Sequence, residues 1–123
     1  MKKKILIVDD DASTRLVLSA TLRSRNYEAV AAADSIQAIS VAQKERPHLV
    51  LLDIEMPGGD GFLVARRLKS LKSLKTIPVI IMTSSVERQT AEAKSVEIGA
   101  EAFLTKPINQ EELSATIEMI LGE

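Results

Sequence analysis

The 123-residue sequence has no cysteine, few aromatic residues and almost no excess of either charge. Without cysteine, disulfide bonds and thiolate chemistry are excluded. Sixteen basic residues against 17 acidic ones give a formal net charge of −1, so the composition shows no electrostatic footprint for nucleic acid. With one Tyr and two Phe residues, the core must be built from aliphatic and small side chains.

Long apolar runs are also missing. Lysines at positions 2–4 followed by the apolar residues 5–8 faintly resemble the start of a signal peptide, but Asp9 ends the apolar run after four residues. That run is much shorter than a signal-peptide core. We therefore expect a cytoplasmic protein without membrane partners, and the length favours one domain over residues 1–123.

Short aliphatic runs alternate with segments of helical pattern along the whole chain. Five such pairs with short connections imply a parallel β-sheet covered by helices on both faces. We predict strands near 4–9, 28–32, 49–53, 78–82 and 102–105, and helices near 12–25, 35–45, 60–72, 87–98 and 109–121. The expected helix-capping residues are Asp11, Asp34 or Ser35, Asp60, Gly99 and Asn109.

Carboxylates follow two of these strands. Asp9, Asp10 and Asp11 close the first predicted strand, and Asp53 closes the third. Carboxylates are costly to bury unpaired, so they should lie where the chain leaves the sheet, which is also where open α/β sheets bind ligands. If the two strands are neighbours, the acids converge and need a cation. Oxygen ligands of this kind suit Mg²⁺.

Two further polar residues follow predicted strands: Thr83, after Ile80-Ile81-Met82, and Lys106, in Phe103-Leu104-Thr105-Lys106-Pro107. Together with the acids, and in this order, they resemble the receiver domain of two-component response regulators. The resemblance covers the whole chain. It implies a doubly wound five-stranded parallel sheet of order 2-1-3-4-5, flanked by five helices, as in flavodoxin-like and CheY-like proteins.

The resemblance also implies a phosphoryl acceptor and a metal site. Asp53 matches the acceptor, whose carboxylate forms an aspartyl phosphate. Asp10 matches the direct ligand of Mg²⁺, and Asp9 matches the acid that holds the ion mainly through water. Glu55 occupies the position whose backbone carbonyl binds the metal, and its side chain is not implied as a ligand.

Roles for the other site residues follow from the same resemblance. Lys106 supplies a fixed positive charge to one phosphoryl oxygen, and Thr83 supplies a hydroxyl to another. Ser84 is small enough to leave room for the phosphoryl group. Phe103 stands at the position of an aromatic residue that changes rotamer on activation. A cis bond before Pro107 would aim the Lys106 ammonium at the acids.

These roles predict a phosphorylation-activated switch. A histidine kinase or phosphotransfer protein would donate the phosphoryl group, and the surface near residues 87–121 would control an unknown protein partner, without direct contact to nucleic acid. We expect no enzyme in the ordinary sense, although the domain would catalyse its own phosphorylation and dephosphorylation. The start at Met1 and the end just beyond the last predicted helix favour a stand-alone protein. The alternative is a fragment of a longer regulator with an output domain.

Three other classes fit less well. A phosphatase of the haloacid-dehalogenase type needs a second Asp two residues after the nucleophile, where Glu55 stands. A flavin or mononucleotide binder would place phosphate where Asp9 to Asp11 repel it. A phosphorylation-independent receiver would have lost some of the acids or the lysine.

Some residues depart from the receiver-domain pattern or are not assigned a role by it. Gly58, Gly59 and Gly61 predict a mobile loop after Asp53. Glu55 and Ser85 flank the site and are expected to tune the lifetime of the phosphoryl group. His48 is expected to be a polar loop residue rather than a phosphodonor.

Overall fold

The computed structural model describes residues 2–56, 61–84 and 88–122. Strands and helices alternate as the sequence predicts, and the five parallel strands have the order β2-β1-β3-β4-β5. The elements are β1 (Lys4–Val8), α1 (Ala12–Ser24), β2 (Glu28–Ala32), α2 (Ser35–Glu45), β3 (Leu49–Asp53), α3 (Gly61–Ser70), β4 (Val79–Thr83), α4 (Arg88–Ile98), β5 (Ala102–Thr105) and α5 (Gln110–Leu121). The predicted fold class is therefore confirmed.

The central strands β1, β3 and β4 are buried on both faces, which explains their uninterrupted aliphatic sequences. Successive side chains point to opposite faces of the sheet. Ile5 and Ile7 therefore pack against residues of α1 and α5, whereas Leu6 and Val8 pack against residues of α2, α3 and α4. These two aliphatic clusters hold the helices on the sheet and fix the edge where the strands end.

Polar side chains cap three helices at that edge. Asp11 accepts the backbone N–H of Ser13 at 2.9 Å, and Asp34 accepts that of Gln37 at 2.8 Å. Asn109 accepts the N–H of Glu112 at 2.9 Å. Gly99 follows α4 with φ of +75°, as predicted for a residue that ends a helix. Asp60, Gly58, Gly59 and Ser85 lie outside the described residues.

Gly61 is needed for a close approach between two backbone segments. It is buried at the first position of α3, and a Cβ there would lie 2.4 Å from the Cα of Ile54 and 2.5 Å from the carbonyl oxygen of Asp53. Only a residue without a side chain fits between α3 and the end of β3. The glycine thus positions α3 against the strand that carries Asp53.

Two loops carry more structure than the sequence suggested. The lysines at 69, 72 and 75 are typical of a surface loop, but Leu74 between them has 0% of its surface exposed and packs with the α2–α4 cluster. His48 accepts the backbone N–H of Lys4 at 2.9 Å through Nδ1, so it holds the start of β1. Across the described ranges, every helix is too short or too polar to cross a bilayer.

Candidate functional site

The pairing of β1 with β3 brings Asp9 and Asp53 together. Val8 is in register with Leu52, so the residue after each is the next along the same edge. Asp9 has 0% and Asp53 has 2% of its surface exposed, while Asp10 is exposed. One carboxylate oxygen from each of these three residues lies within 4.8 Å of the others. The acids predicted from the sequence therefore form one cluster.

Lys106 reaches this cluster from the end of β5. Its Nζ lies 3.1 Å from Oδ2 of Asp53 and 3.2 Å from Oδ2 of Asp9. Its backbone N–H donates to the carbonyl of Thr83 at 2.7 Å, and the Lys106–Pro107 peptide bond is cis. A single ammonium group therefore binds both buried carboxylates.

The surroundings of Asp53 shift its ionisation. Burial raises the pKa of the Asp53 carboxyl above its ordinary value, and the nearby Asp9 adds to this, although the Glu55 N–H and Lys106 act in the opposite direction. The Glu55 N–H donates to Asp53 Oδ1 at 2.9 Å. For Lys106, partial burial lowers the pKa, but the Asp53 and Asp9 carboxylates outweigh it and raise the pKa overall. Lys106 is therefore a cation at neutral pH.

The donor set fits a hard divalent cation. When all three carboxylates of the cluster are ionised, they exceed the positive charge of the Lys106 ammonium by two negative charges. Hard oxygen donors with excess negative charge are the surroundings that Mg²⁺ prefers. The exposed Asp10 gives this set an opening to solvent.

Hydrogen bonds to Asp9 fix the orientation of its side chain and main chain. Oδ1 of Asp9 accepts the N–H of Asp11 at 2.9 Å, and Arg15 donates to the Asp9 carbonyl at 2.7 Å. Arg15 was not among the site residues expected from the sequence. Its position one turn into α1 was the available signal, but an arginine at the start of a helix is common on any protein surface.

The side chain of Glu55 binds the end of β4. Its Oε1 accepts the hydroxyl of Thr83 at 3.1 Å and the backbone N–H of Ser84 at 2.7 Å. The Ser84 N–H is the main reason that the pKa of Glu55 lies below its ordinary value. The sequence indicated that Glu55 flanks the site but not that its side chain binds Thr83, because a contact between residues 28 positions apart leaves no local pattern.

Phe103 lies on β5 beside the strand that ends in Thr83. It is in register with Ile81, and Thr83 follows Ile81 by two residues, so Thr83 and Phe103 share one face of the sheet. Phe103 is half-buried and packs against the α2–α4 cluster. The two residues predicted to form the switch therefore occupy neighbouring strands on the same side.

Comparison with known proteins gives a consistent family match. The model of the response regulator receiver domain matches residues 5–118. The chain is 37% identical over 121 residues to sporulation initiation phosphotransferase F of Bacillus subtilis, covering 98% of this chain and 95% of that protein. It is 38% identical over 120 residues to the probable transcriptional regulator ycf27 of Cyanophora paradoxa, of which it covers 48%.

Solved structures agree with these matches. The chemotaxis protein CheY4 of Vibrio cholerae superposes with a TM-score of 0.90 at 31% identity, covering 98% of this chain and 99% of that one. The receiver domain of a sensor histidine kinase from Pseudomonas aeruginosa PAO1, solved with a magnesium ion coordinated in its active site cleft, gives a TM-score of 0.89 at 28% identity, with 100% of both chains covered. The chain spans about half the length of several curated relatives it matches, including the ycf27 proteins of Cyanophora paradoxa and Porphyridium aerugineum at 48% each.

Proposed function

Because this chain belongs to the family of response regulator receiver domains of two-component signalling, we propose that Asp53 accepts a phosphoryl group from a histidine kinase or a phosphotransfer protein. The observation that carries this proposal is the environment of the Asp53 carboxylate. Asp53 is a buried carboxylate at a strand end, bound by the Lys106 ammonium and the Glu55 N–H, beside two further acids. Residues 1–123 act as a single receiver domain in this proposal.

The proposed transfer is a displacement at phosphorus. An oxygen of the Asp53 carboxylate forms the new bond to phosphorus, and the bond from phosphorus to the imidazole nitrogen of the donor breaks. The nitrogen keeps the electron pair and takes up a proton from solvent. Lys106, fixed beside Asp53, places its positive charge against the phosphoryl oxygens.

Mg²⁺ is the cofactor of this proposal, and the residues present fit it. Asp10 and Asp53 would hold the ion through their carboxylates, Asp9 mainly through water, and Glu55 through its backbone carbonyl. When bound, Mg²⁺ supplies positive charge that offsets the repulsion among the carboxylates and the charge on the phosphoryl oxygens. Asp9 is already oriented for this role by the Asp11 N–H.

The proposed output is a change in the surface formed by α4, β5 and α5. Thr83 moves toward the phosphoryl group, and Phe103 turns into the space that the threonine leaves. Their shared face on neighbouring strands supports this coupling. The exposed side chains of Val96 on α4 and Met119 on α5 offer apolar contacts to a protein partner on that surface.

Phosphorylation by a small donor tests the acceptor. Incubation with acetyl phosphate and Mg²⁺, followed by intact mass measurement, should show one added phosphoryl group. Asp53→Asn and a metal chelator should each prevent the addition, and Asp34→Asn, at a helix cap of the same edge, serves as the control that should not. Equal uptake by Asp53→Asn would reject the assignment of the acceptor.

Thr83→Ala tests the coupling. It should leave phosphorylation of Asp53 largely intact while removing the amide shifts that phosphorylation produces in α4, β5 and α5 in an NMR titration. The same shifts in the variant and the wild type would show that the hydroxyl does not transmit the change.

A further inference from the structure

Two hydrogen-bond donors at the end of β4 are already occupied by an anionic group of the chain itself. Oε1 of Glu55 accepts from the hydroxyl of Thr83 at 3.1 Å and from the N–H of Ser84 at 2.7 Å. A single carboxylate oxygen thus satisfies two converging donors. Convergent donors of this kind suit any anionic oxygen, including one on a phosphoryl group.

The same residue also contacts the phosphoryl acceptor. The N–H of Glu55 donates to Oδ1 of Asp53, while its side chain holds Thr83 and Ser84. Glu55 therefore connects the group that receives the phosphoryl group with the hydroxyl expected to respond to it. A phosphoryl group on Asp53 would therefore lie close to the Glu55 carboxylate, which already accepts the hydrogen bonds of Thr83 and Ser84.

We propose that the Glu55 side chain is a positioning residue that competes with the phosphoryl group for the Thr83 hydroxyl and the Ser84 N–H. In the resting protein it keeps Thr83 engaged, and on phosphorylation of Asp53 it must release both donors. The inference rests on the proposed function of Asp53. Its consequence is that Glu55 favours the resting arrangement and shortens the lifetime of the phosphorylated one.

Release of Glu55 is physically accessible. The residue is exposed, so its side chain can swing into solvent without opening a cavity in the core. Once released, the carboxylate and the phosphoryl group repel each other, because both are negatively charged. Loss of the two hydrogen bonds and this repulsion act in the same direction, against the phosphorylated state.

A purely structural role of the Glu55 side chain would give a different result. If Glu55 only tied the end of β3 to the end of β4, its removal would loosen the site and would not prolong phosphorylation. If Glu55 instead competes with the phosphoryl group, its removal should lengthen the lifetime of the phosphorylated protein. The sign of the lifetime change therefore distinguishes the two roles.

The experiment compares Glu55→Ala and Glu55→Gln with Glu28→Ala. Glu28 is an exposed acid at the start of β2, on the opposite edge of the sheet, so its loss changes the net charge equally without touching the site. Each protein is phosphorylated with acetyl phosphate and Mg²⁺, the donor is removed, and the remaining phosphorylated fraction is followed by intact mass. The Ser84 amide is followed by NMR in the unphosphorylated proteins.

Glu55→Ala should lengthen the phosphorylated half-life roughly tenfold, since hydrogen bonds to a charged group are the strong ones. Glu55→Gln, which keeps an acceptor but loses the charge, should lie between Glu55→Ala and the wild type, and Glu28→Ala should match the wild type. The increase in half-life caused by Glu55→Ala should be smaller in a Thr83→Ala background, because the hydroxyl for which Glu55 competes is then absent. In the resting protein, the Ser84 amide proton should move upfield in Glu55→Ala, less so in Glu55→Gln, and not at all in Glu28→Ala.

Separate results would overturn the two proposals. Normal uptake with an unchanged or shorter half-life in Glu55→Ala, at unaltered stability, would overturn the competing role of Glu55 and leave the acceptor assignment standing. No uptake by the wild type would overturn the proposed function and this inference with it. An unmoved Ser84 amide in Glu55→Ala would show that the resting contact does not exist, and that result also overturns the inference.

Discussion

Replacing Gly61 with alanine tests how tightly the start of α3 is pressed against the strand that carries Asp53. The added Cβ would lie 2.4 Å from the Cα of Ile54 and 2.5 Å from the carbonyl oxygen of Asp53. Carbon atoms in contact are normally about 3.5–4.0 Å apart. Both neighbours are backbone atoms, so no change of side-chain rotamer removes the overlap. Either α3 or the end of β3 must move.

The magnitude follows from two opposing terms. Overpacking of this kind costs about 1–3 kcal/mol, whereas alanine in place of glycine within a helix gains up to about 1 kcal/mol. Because α3 begins at Gly61, the helical gain is at its smallest there, and we expect a net loss of about 2 kcal/mol in the free energy of unfolding. The shift should also displace the main chain at Asp53, so that phosphorylation slows.

Urea unfolding and the initial rate of phosphorylation by acetyl phosphate measure these two effects. Gly99→Ala is the matched control: its Cβ would meet nothing within 4 Å, but the backbone has φ of +75°. It should lose about 1 kcal/mol from backbone strain and leave the phosphorylation rate unchanged. If Gly61→Ala were as stable as the wild type and were phosphorylated at the same rate, the close approach of α3 would not constrain the site.

Three further substitutions test other parts of the structure. Asp53→Asn should stabilise the metal-free protein at pH 7 by about 1 kcal/mol. Because folding raises the pKa of Asp53, its carboxylate begins to destabilise the fold as pH rises above the ordinary pKa, and the full effect is present above the raised pKa. The gain from the substitution should therefore vanish in acid, and an equal gain at all pH values in urea unfolding would refute this. Lys106→Met should destabilise the metal-free protein by about 2 kcal/mol, because the buried carboxylates of Asp53 and Asp9 lose their cation, and Mg²⁺ should restore more stability to the variant than to the wild type in thermal unfolding. Leu74→Ala should lose about 3 kcal/mol, as expected for a fully buried leucine, with Lys72→Ala near zero in the same urea titration; equal effects would contradict the burial of Leu74.

The strands could be predicted from the sequence with little error, and the reason is local, whereas their order was implied by the resemblance to receiver domains. The strands β1, β3, β4 and β5 are short apolar runs, and each is closed by a polar residue that must lie at the edge of the sheet. The predicted strand near 78–82 was displaced by one residue, because Thr83 pairs with Thr105 and belongs to β4. A threonine fits a strand end as well as a loop, so no local signal separates the two.

The side-chain contacts of the site could be predicted only in part. Asp9, Asp10 and Asp53 were expected to converge because strand pairing alone brings them together. The contact of Glu55 with Thr83 depends on a side-chain rotamer, and Leu74 lies in a segment whose lysines suggested a surface loop. Gly61 was interpreted as a source of mobility, since a glycine needed for close packing has the same appearance in a sequence as one needed for freedom.

Lys106 has a consequence for the relation between folding and metal binding in this protein. Its ammonium is already bound to both buried carboxylates, and within the described ranges every buried polar side-chain atom has a hydrogen-bond partner. In zinc fingers, by contrast, folding itself waits for the metal. Here the lysine acts as an internal counter-ion for both carboxylates, so we expect the chain to fold without waiting for a cation. Under the proposed function, removal of divalent ions should therefore stop phosphorylation reversibly while the domain stays folded.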